Sequence, residues 1–258
     1  MTRNDADKPL AIITGASRGI GRATALRLAA DGFTTAVHYG SDQVAAQTTV
    51  QEITDNGGTA FAFPADLSAD TASENFWTAF DKAAQNHGID ARTIQVLVNN
   101  AGVTLRGPIE EFSKEDFLTQ QAINVTAPYF IVKDGLERIA DGGRIINLSS
   151  GVTRIAFPEI IGYALTKGAI DSFTLTLAQH LGPRKITVNA VAPGVTDTDI
   201  NASWLRDNEE AQEGVASSVA LGRVGQPDDI AAIIAFLASE DGRWITGQVL
   251  DATGGSSL

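Results

Sequence analysis

Seven short apolar runs recur along the chain: Leu10–Ile13, Thr34–Val37, Ala60–Phe63, Ile94–Val98, Arg144–Leu148, Ile186–Val191 and Gln248–Leu250. They are rich in Val, Ile and Leu and read as strands buried on both faces. Most are separated by longer stretches of helical period. In Arg22–Ala30, the residues Ala25, Leu26, Leu28 and Ala29 cover one broad face, and Gly32 closes the helix. Asp42–Asn56, Ala69–His87, Lys114–Ala140, Ile161–Leu181 and Asp228–Ala238 are the other predicted helices. Pro128 lies inside the third of these, which must kink there or be two helices. The alternation predicts a parallel sheet with helices on both sides. No linker rich in Pro, Gly or Ser divides the chain, so one domain over residues 1–258 is expected. Thr196–Val219 breaks the rhythm, being polar, acidic and weakly periodic. It is too long for an ordinary loop and reads as a mobile functional segment.

Composition narrows the function classes. Forty-three per cent hydrophobic and 19% charged residues are those of an ordinary globular protein. The absence of cysteine excludes disulfides, thiolate metal sites and cysteine nucleophiles. A net charge of −12 repels nucleic-acid phosphates and anionic membranes, so neither is an expected partner. The N-terminal MTRNDADKP is polar, and the apolar run after it is too brief for a signal-peptide core. No stretch approaches the roughly 20 apolar residues of a membrane span. A cytoplasmic location is expected.

The first strand runs into Thr14-Gly15-Ala16-Ser17-Arg18-Gly19-Ile20-Gly21, and a helix follows directly. Glycines let the backbone approach a ligand closely, and the free N–H groups of a helix start suit a pyrophosphate. The first strand-to-helix turn of a parallel sheet is the place for such a site. The spacing is G-x-x-x-G-x-G, not the G-x-G-x-x-G of many dinucleotide sites. The second strand ends in Tyr39-Gly40-Ser41, with no acid at its tip to hold a ribose 2′-hydroxyl. Arg18 is able to meet a 2′-phosphate instead, which favours NADPH over NADH.

Tyr163 and Lys167 are four apart in a helix and share a face. A free tyrosine, with a reference pKa of about 10, is a poor proton carrier at neutral pH, and a nearby ammonium favours its phenolate. The pair is thus a candidate general acid or base. The strand before that helix ends in Ser149-Ser150, where a hydroxyl can donate to a substrate oxygen. Val98 runs into Asn99-Asn100-Ala101-Gly102, small enough to let a cofactor pass close to the backbone. Asn124 lies inside a helical segment, where asparagine is usually unfavourable.

Together these residues resemble the short-chain dehydrogenase/reductase family from Pro9 to Gly255. The matching motifs are T-G-A-S-R-G-I-G at 14–21, Asp66-Leu67, N-N-A-G at 99–102, Asn124, Ser150, Tyr163-x-x-x-Lys167, and Pro193-Gly194 with Thr198. The resemblance implies a single Rossmann-like, doubly wound α/β domain with a seven-stranded parallel sheet, and no metal. It implies that Ser150, thirteen before Tyr163, polarises a carbonyl oxygen; Ser149 lacks that spacing. Tyr163 would give that oxygen a proton, and Lys167 would hold the nicotinamide ribose. Asn124 would support a water joining Lys167 to solvent. Cofactor contacts are implied for Gly15, Ser17, Arg18, Gly19, Ile20, Gly21, Tyr39, Ser41, Asp66, Leu67, Asn100, Ala101, Gly102, Tyr163, Lys167, Pro193, Gly194, Thr196 and Thr198.

Leu221-Gly222-Arg223-Val224-Gly225-Gln226-Pro227 and the tail after it resemble the 3-oxoacyl-[acyl-carrier-protein] reductase group. Sugar, steroid and polyketide reductases share that tail, and basic residues to dock an acidic carrier protein are not obvious here. The expected function is NADPH-dependent reduction of a ketone or 3-oxoacyl carbonyl to an alcohol. The alternatives are an NAD-dependent dehydrogenase of a sugar, steroid or other secondary alcohol, and a cofactor-sensing protein without activity. Pocket residues are expected from Val103–Glu110, Gly151–Ile161 and a substrate lid at about 196–219. Val152, Ile155, Phe157, Ile160 and Trp204 would make the substrate partly apolar. The family resemblance also implies a homotetramer.

Overall fold

Parallel strands covered on both faces need apolar side chains at successive positions, because neighbours point to opposite sides of the sheet. In the computed structural model, which describes residues 8–258, the first strand shows this directly. In β1 (Leu10–Ile13), Leu10 and Ile12 enter one core while Ala11 and Ile13 enter the other. The remaining strands are β2 (Thr34–Tyr39), β3 (Thr59–Pro64), β4 (Ile94–Asn99), β5 (Ile139–Leu148), β6 (Thr187–Pro193) and β7 (Val249–Ala252). All seven join in one parallel sheet in the order β3-β2-β1-β4-β5-β6-β7. This is the single Rossmann-like domain that the alternation of strands and helices and the family resemblance imply.

The helices are α1 (Gly19–Ala30), α2 (Gln43–Asp55), α3 (Ala72–Asn86), α4 (Lys114–Gln121), α5 (Ala127–Gly135), α6 (Ile161–Leu181), α7 (Ala202–Leu205), α8 (Glu209–Ser217) and α9 (Pro227–Ala238). One core is aromatic: Phe61, Phe63, Phe76, Trp77 and Phe80 pack between the sheet and α3. The other is aliphatic, with α1, α2 and α9 over the opposite face. Gly32, at φ +95°, ends α1 as predicted, where Phe33 N–H reaches Leu28 O at 3.0 Å. Asp42 caps α2 by accepting from Ala45 N–H at 3.0 Å.

The expectation at Pro128 is met, and the end of that helix changes. Of the kink or break expected within Lys114–Ala140, the structure shows two helices joined by a π-helical turn at Ala122–Thr126. Pro128 has no N–H to return to the Asn124 carbonyl, so the α-helical register is lost at that point. The second piece stops at Gly135, packed so tightly on Trp77 that a Cβ there would lie 2.0 Å from its ring, and Ile139 already belongs to β5. The weakly periodic segment 196–219, expected to be a mobile functional segment, carries the two short helices α7 and α8. The polar N-terminal residues 1–7 lie outside the described residues. No helix among the described residues is long and apolar enough to cross a membrane.

Candidate active site

The sheet order reverses between β1 and β4, and there the strand ends open into a crevice. A cleft of about 910 Å³ occupies it. Its floor is the turn after β1. Gly15 adopts φ +62°, and a Cβ on it would lie 2.9 Å from Ala101 Cα, so only glycine fits between the two loops. α1 begins inside the turn, three residues earlier than its apolar period indicated. No side chain caps it and no acid lies in its first turn. Its first N–H groups therefore lack helix partners and face the cleft, as a pyrophosphate requires. The cradle fits a dinucleotide.

The turn is braced from β4. Thr14 Oγ1 accepts from the Asn100 and Ala101 N–H groups, both at 2.9 Å. Asn100 Nδ2 donates to Thr14 O at 2.8 Å and Gly15 O at 3.1 Å. Deeper in, Asn99 Nδ2 donates to Asn147 Oδ1 at 2.8 Å, and Asn147 Nδ2 to Thr174 Oγ1 at 2.9 Å. This buried polar line ties β4 to β5 and α6. Asn147 was not singled out in the sequence. Its signal is an asparagine following Ile145-Ile146 inside an apolar strand.

The reactive candidates converge at the end of β5. Ser150 and Tyr163 are half-buried and line the cleft. Lys167 is buried, and its Nζ donates to Leu148 O at 2.7 Å while standing 5.4 Å from the Tyr163 ring centroid. Asn124 lies behind this group in the π-helical turn. Its Oδ1 accepts from Val103 N–H at 2.9 Å, and its Nδ2 donates to Val103 O and to Thr166 Oγ1. Gly102 is the shared neighbour, where a Cβ would stand 3.3 Å from Asn124 Oδ1 and 3.6 Å from Lys167 Nζ. Next to Ser150, the buried Ser149 Oγ has no hydrogen-bond partner among the described residues. An orphaned polar atom in the wall of a cleft is met by a ligand or water.

Gly15, Ser17, Arg18, Gly19, Ile20, Gly21, Ser41, Asp66, Leu67, Asn100, Ala101, Gly102, Pro193, Gly194, Thr196 and Thr198 all line the cleft. Tyr39 does not. The alternation of β2 turns it into the aliphatic core, 7% exposed, and presents His38 and then Gly40 to the cleft instead. Arg18 is mostly exposed and pairs with Asp199 at 3.7 Å. Asp66 accepts from Ser68 Oγ at 2.6 Å and from Ser68 N–H at 2.9 Å, which holds its carboxyl below the usual carboxylate range.

The far end of the cleft is more apolar. Val103, Val152, Ile155, Phe157, Ile160, Ile200 and Trp204 line it. Arg106 lies over the Trp204 ring, 5.4 Å from its centroid, so the loop after β4 touches α7 across the opening. No group of acidic or histidine side chains able to hold a metal occurs among the described residues.

Residues 15–257 match the short-chain dehydrogenase family model described as enoyl-(acyl carrier protein) reductase. Among solved structures, the chain is similar to the angucycline C-6 ketoreductase LanV with bound NADP. The two are 43% identical, with 97% of this chain and 96% of that one covered and a TM-score of 0.91. It is likewise similar to LugOII, a promiscuous reductase that catalyses keto-reduction at C1 during lugdunomycin biosynthesis. That pair is 42% identical, covers 99% and 100% of the two chains, and has a TM-score of 0.91. A hydroxynaphthalene reductase-like protein, Arp2 of Metarhizium brunneum, is 38% identical over 258 residues, 96% of this chain and 94% of its own.

Proposed function

The chain belongs to the short-chain dehydrogenase/reductase family, and we propose that it is an NADPH-dependent ketoreductase acting on a polycyclic aromatic ketone. The observation that carries this reading is the convergence of Ser150, Tyr163 and Lys167 beside an apolar cleft end walled by Phe157 and Trp204. Similarity to LanV and LugOII favours a cyclised polyketide over the carrier-bound 3-oxoacyl thioester of the acyl-carrier-protein reductases that the C-terminal tail resembles.

NADPH, when bound, supplies the hydride; the protein supplies position and protons. Ser150 Oγ donates a hydrogen bond to the substrate carbonyl oxygen and draws charge onto it. Tyr163 Oη gives that oxygen its proton. The Lys167 ammonium stabilises the phenolate left behind and holds the nicotinamide ribose. Asn124 is held on both sides by Val103, and its backbone carbonyl, which Pro128 has no N–H to meet, holds a water that returns a proton toward Lys167. Arg18 leaves Asp199 for the 2′-phosphate of NADPH, which gives the cofactor preference without an acid at the tip of β2. Residues 196–219 act as the lid, with Trp204 on the substrate.

The molecule assembles as a homotetramer. Exposed apolar side chains support this: Tyr129, Phe130, Leu165 and Leu175 on α5 and α6, and Trp244, Val249 and Leu258 in and around β7. Light scattering after gel filtration tests it, and a monomer at micromolar concentration overturns it. Consumption of NADPH and of NADH, measured over a panel of aromatic polyketides, β-keto thioesters and keto-sugars, tests the activity. Turnover is expected with the polycyclic ketones and NADPH. A preference for NADH, or turnover confined to thioesters, refutes the reading.

A further inference from the structure

The first three strands all end at the cofactor side of the cleft, and one side chain touches all three ends. His38, the fifth residue of β2, is 1% exposed. Its ring packs against those of Phe63 and Phe76, with centroids 5.4 and 5.3 Å away, and those two rings also touch each other at 5.0 Å. Nδ1 faces the Gly15 N–H at 3.1 Å, so it accepts. The proton is then on Nε2, which donates to Ala65 O at 3.0 Å. A single tautomer satisfies both contacts. Burial holds the ring's pKa down to about 4, against a smaller opposing effect of the Ala65 bond, so the acceptor nitrogen persists at neutral pH.

Gly15 opens the glycine turn, and Ala65 directly precedes Asp66 in the cleft wall. Ala16 N–H also donates to His38 O at 2.8 Å. The backbone and the ring of this residue therefore grip two successive positions of the turn. Neither aromatic neighbour of the ring offers Gly15 an acceptor.

We propose that His38 is a positioning residue for NADPH: its Nδ1, oriented by the Ala65 bond on the other side of the ring, accepts from the Gly15 N–H and so fixes the glycine turn after β1 where the cofactor must meet it. This rests on the reading of the cleft as an NADPH site. The residue touches no reacting atom, so it acts on cofactor affinity and leaves the chemical step alone.

The test is NADPH binding followed by fluorescence titration, together with steady-state kinetics, for His38→Leu, His38→Asn and His38→Gln. Leucine removes both bonds, leaving the Gly15 N–H and the Ala65 carbonyl unpaired. The expected result is a rise of roughly tenfold in Kd and KM for NADPH, with kcat at saturation within about twofold. Asparagine places Oδ1 where Nδ1 stood and keeps the Gly15 bond, so it is expected to recover affinity to within about threefold of the native chain. Glutamine sets its carboxamide one carbon farther out, toward Ala65, and is expected to resemble leucine. If His38→Leu does not fold, the asparagine and glutamine variants carry the same contrast. Equal affinity in the native chain and all folded variants overturns the proposal, as does equal loss in asparagine and glutamine. A native chain that does not bind NADPH overturns the reading of the cleft instead.

Discussion

The close approach of α1 to the loops after β1 and β4 makes Gly21→Ala a sharp probe of the cleft. Gly21 has no positive φ, so alanine costs nothing in backbone conformation; the cost is steric. A Cβ there would lie 2.3 Å from Gly15 O, 2.5 Å from Asn100 Nδ2 and 2.9 Å from Ala16 Cα. Two of these are backbone atoms of the turn and cannot rotate away. Restoring an ordinary contact requires the turn to retreat by roughly 1 Å. Overpacking of this kind costs about 1–3 kcal/mol, or roughly 3–10 °C in Tm for a chain of this size. A displacement of about 1 Å at a positioned ligand is expected to lower kcat/KM for NADPH by roughly 100-fold. Gly32→Ala is the control. It puts alanine at φ +95° with no atom within 4 Å of the new Cβ, so it pays only backbone strain. That strain is about 1–2 kcal/mol, with a comparable fall in Tm. It lies at the other end of α1, away from the cleft, so its kinetics are expected to match the native chain. Thermal unfolding and initial rates at subsaturating NADPH separate the two effects. Unchanged kcat/KM in Gly21→Ala, or an equal loss in Gly32→Ala, refutes the reasoning.

Tyr163→Phe is expected to lose at least about 100-fold in kcat while binding NADPH like the native chain, since only the proton donor is removed; retained turnover in rate assays rules out the assigned role. Asp229 accepts from Arg223 Nη2 at 2.8 Å and from Gln226 N–H at 2.8 Å, and the Arg223 bonds, then the Gln226 bond, hold its pKa down at about 2. The stability it contributes is complete above its ordinary value of 3.8 and is lost as pH falls through about 2. Asp229→Asn is thus expected to lower Tm by roughly 2–4 °C at pH 7, with a difference that shrinks below about pH 4; a constant difference down to pH 2.5 contradicts this. Residues 196–219, where α8 buries no side chain, are expected to exchange amide hydrogens more slowly once NADPH and a ketone are bound. Equal exchange with and without ligands removes the lid assignment.

What was legible in the sequence is what the backbone itself imposes. A parallel strand covered on both sides must be apolar at every position, so all seven strands were visible as runs; the first has the bounds read for it, and the other six differ by a residue or more at their ends. Gly15 and Gly21 stood out because two loops meet there too closely for a side chain. Tyr163 and Lys167 stood out because α6 forces residues four apart onto one face. The errors have a common origin as well. Tyr39 was assigned by its nearness to the tip of β2, but the two-residue alternation of a strand decides which neighbour faces the cleft. His38 and Asn147 were passed over because a polar residue inside a strand reveals nothing until its partners, distant in sequence, are known. The start of α1 was placed three residues late because glycines weaken the helical signal in the turn where the helix must begin.

The two halves of the cleft differ in a way that explains why reaction class and substrate were not equally readable. The cofactor half is held by backbone groups and by side chains bonded to backbone: Thr14, His38 and Asn100 all act on main-chain atoms. Such contacts demand particular residue types at fixed spacings, and fixed spacings can be read along a chain. The far half is made of side chains meeting across an opening, such as Arg106 over Trp204, from segments ninety-eight positions apart. Many pairs of side chains could close such a gap, and each would leave a different volume. The shape that selects one ketone over another is therefore a property of two loops in contact, and neither loop encodes it alone.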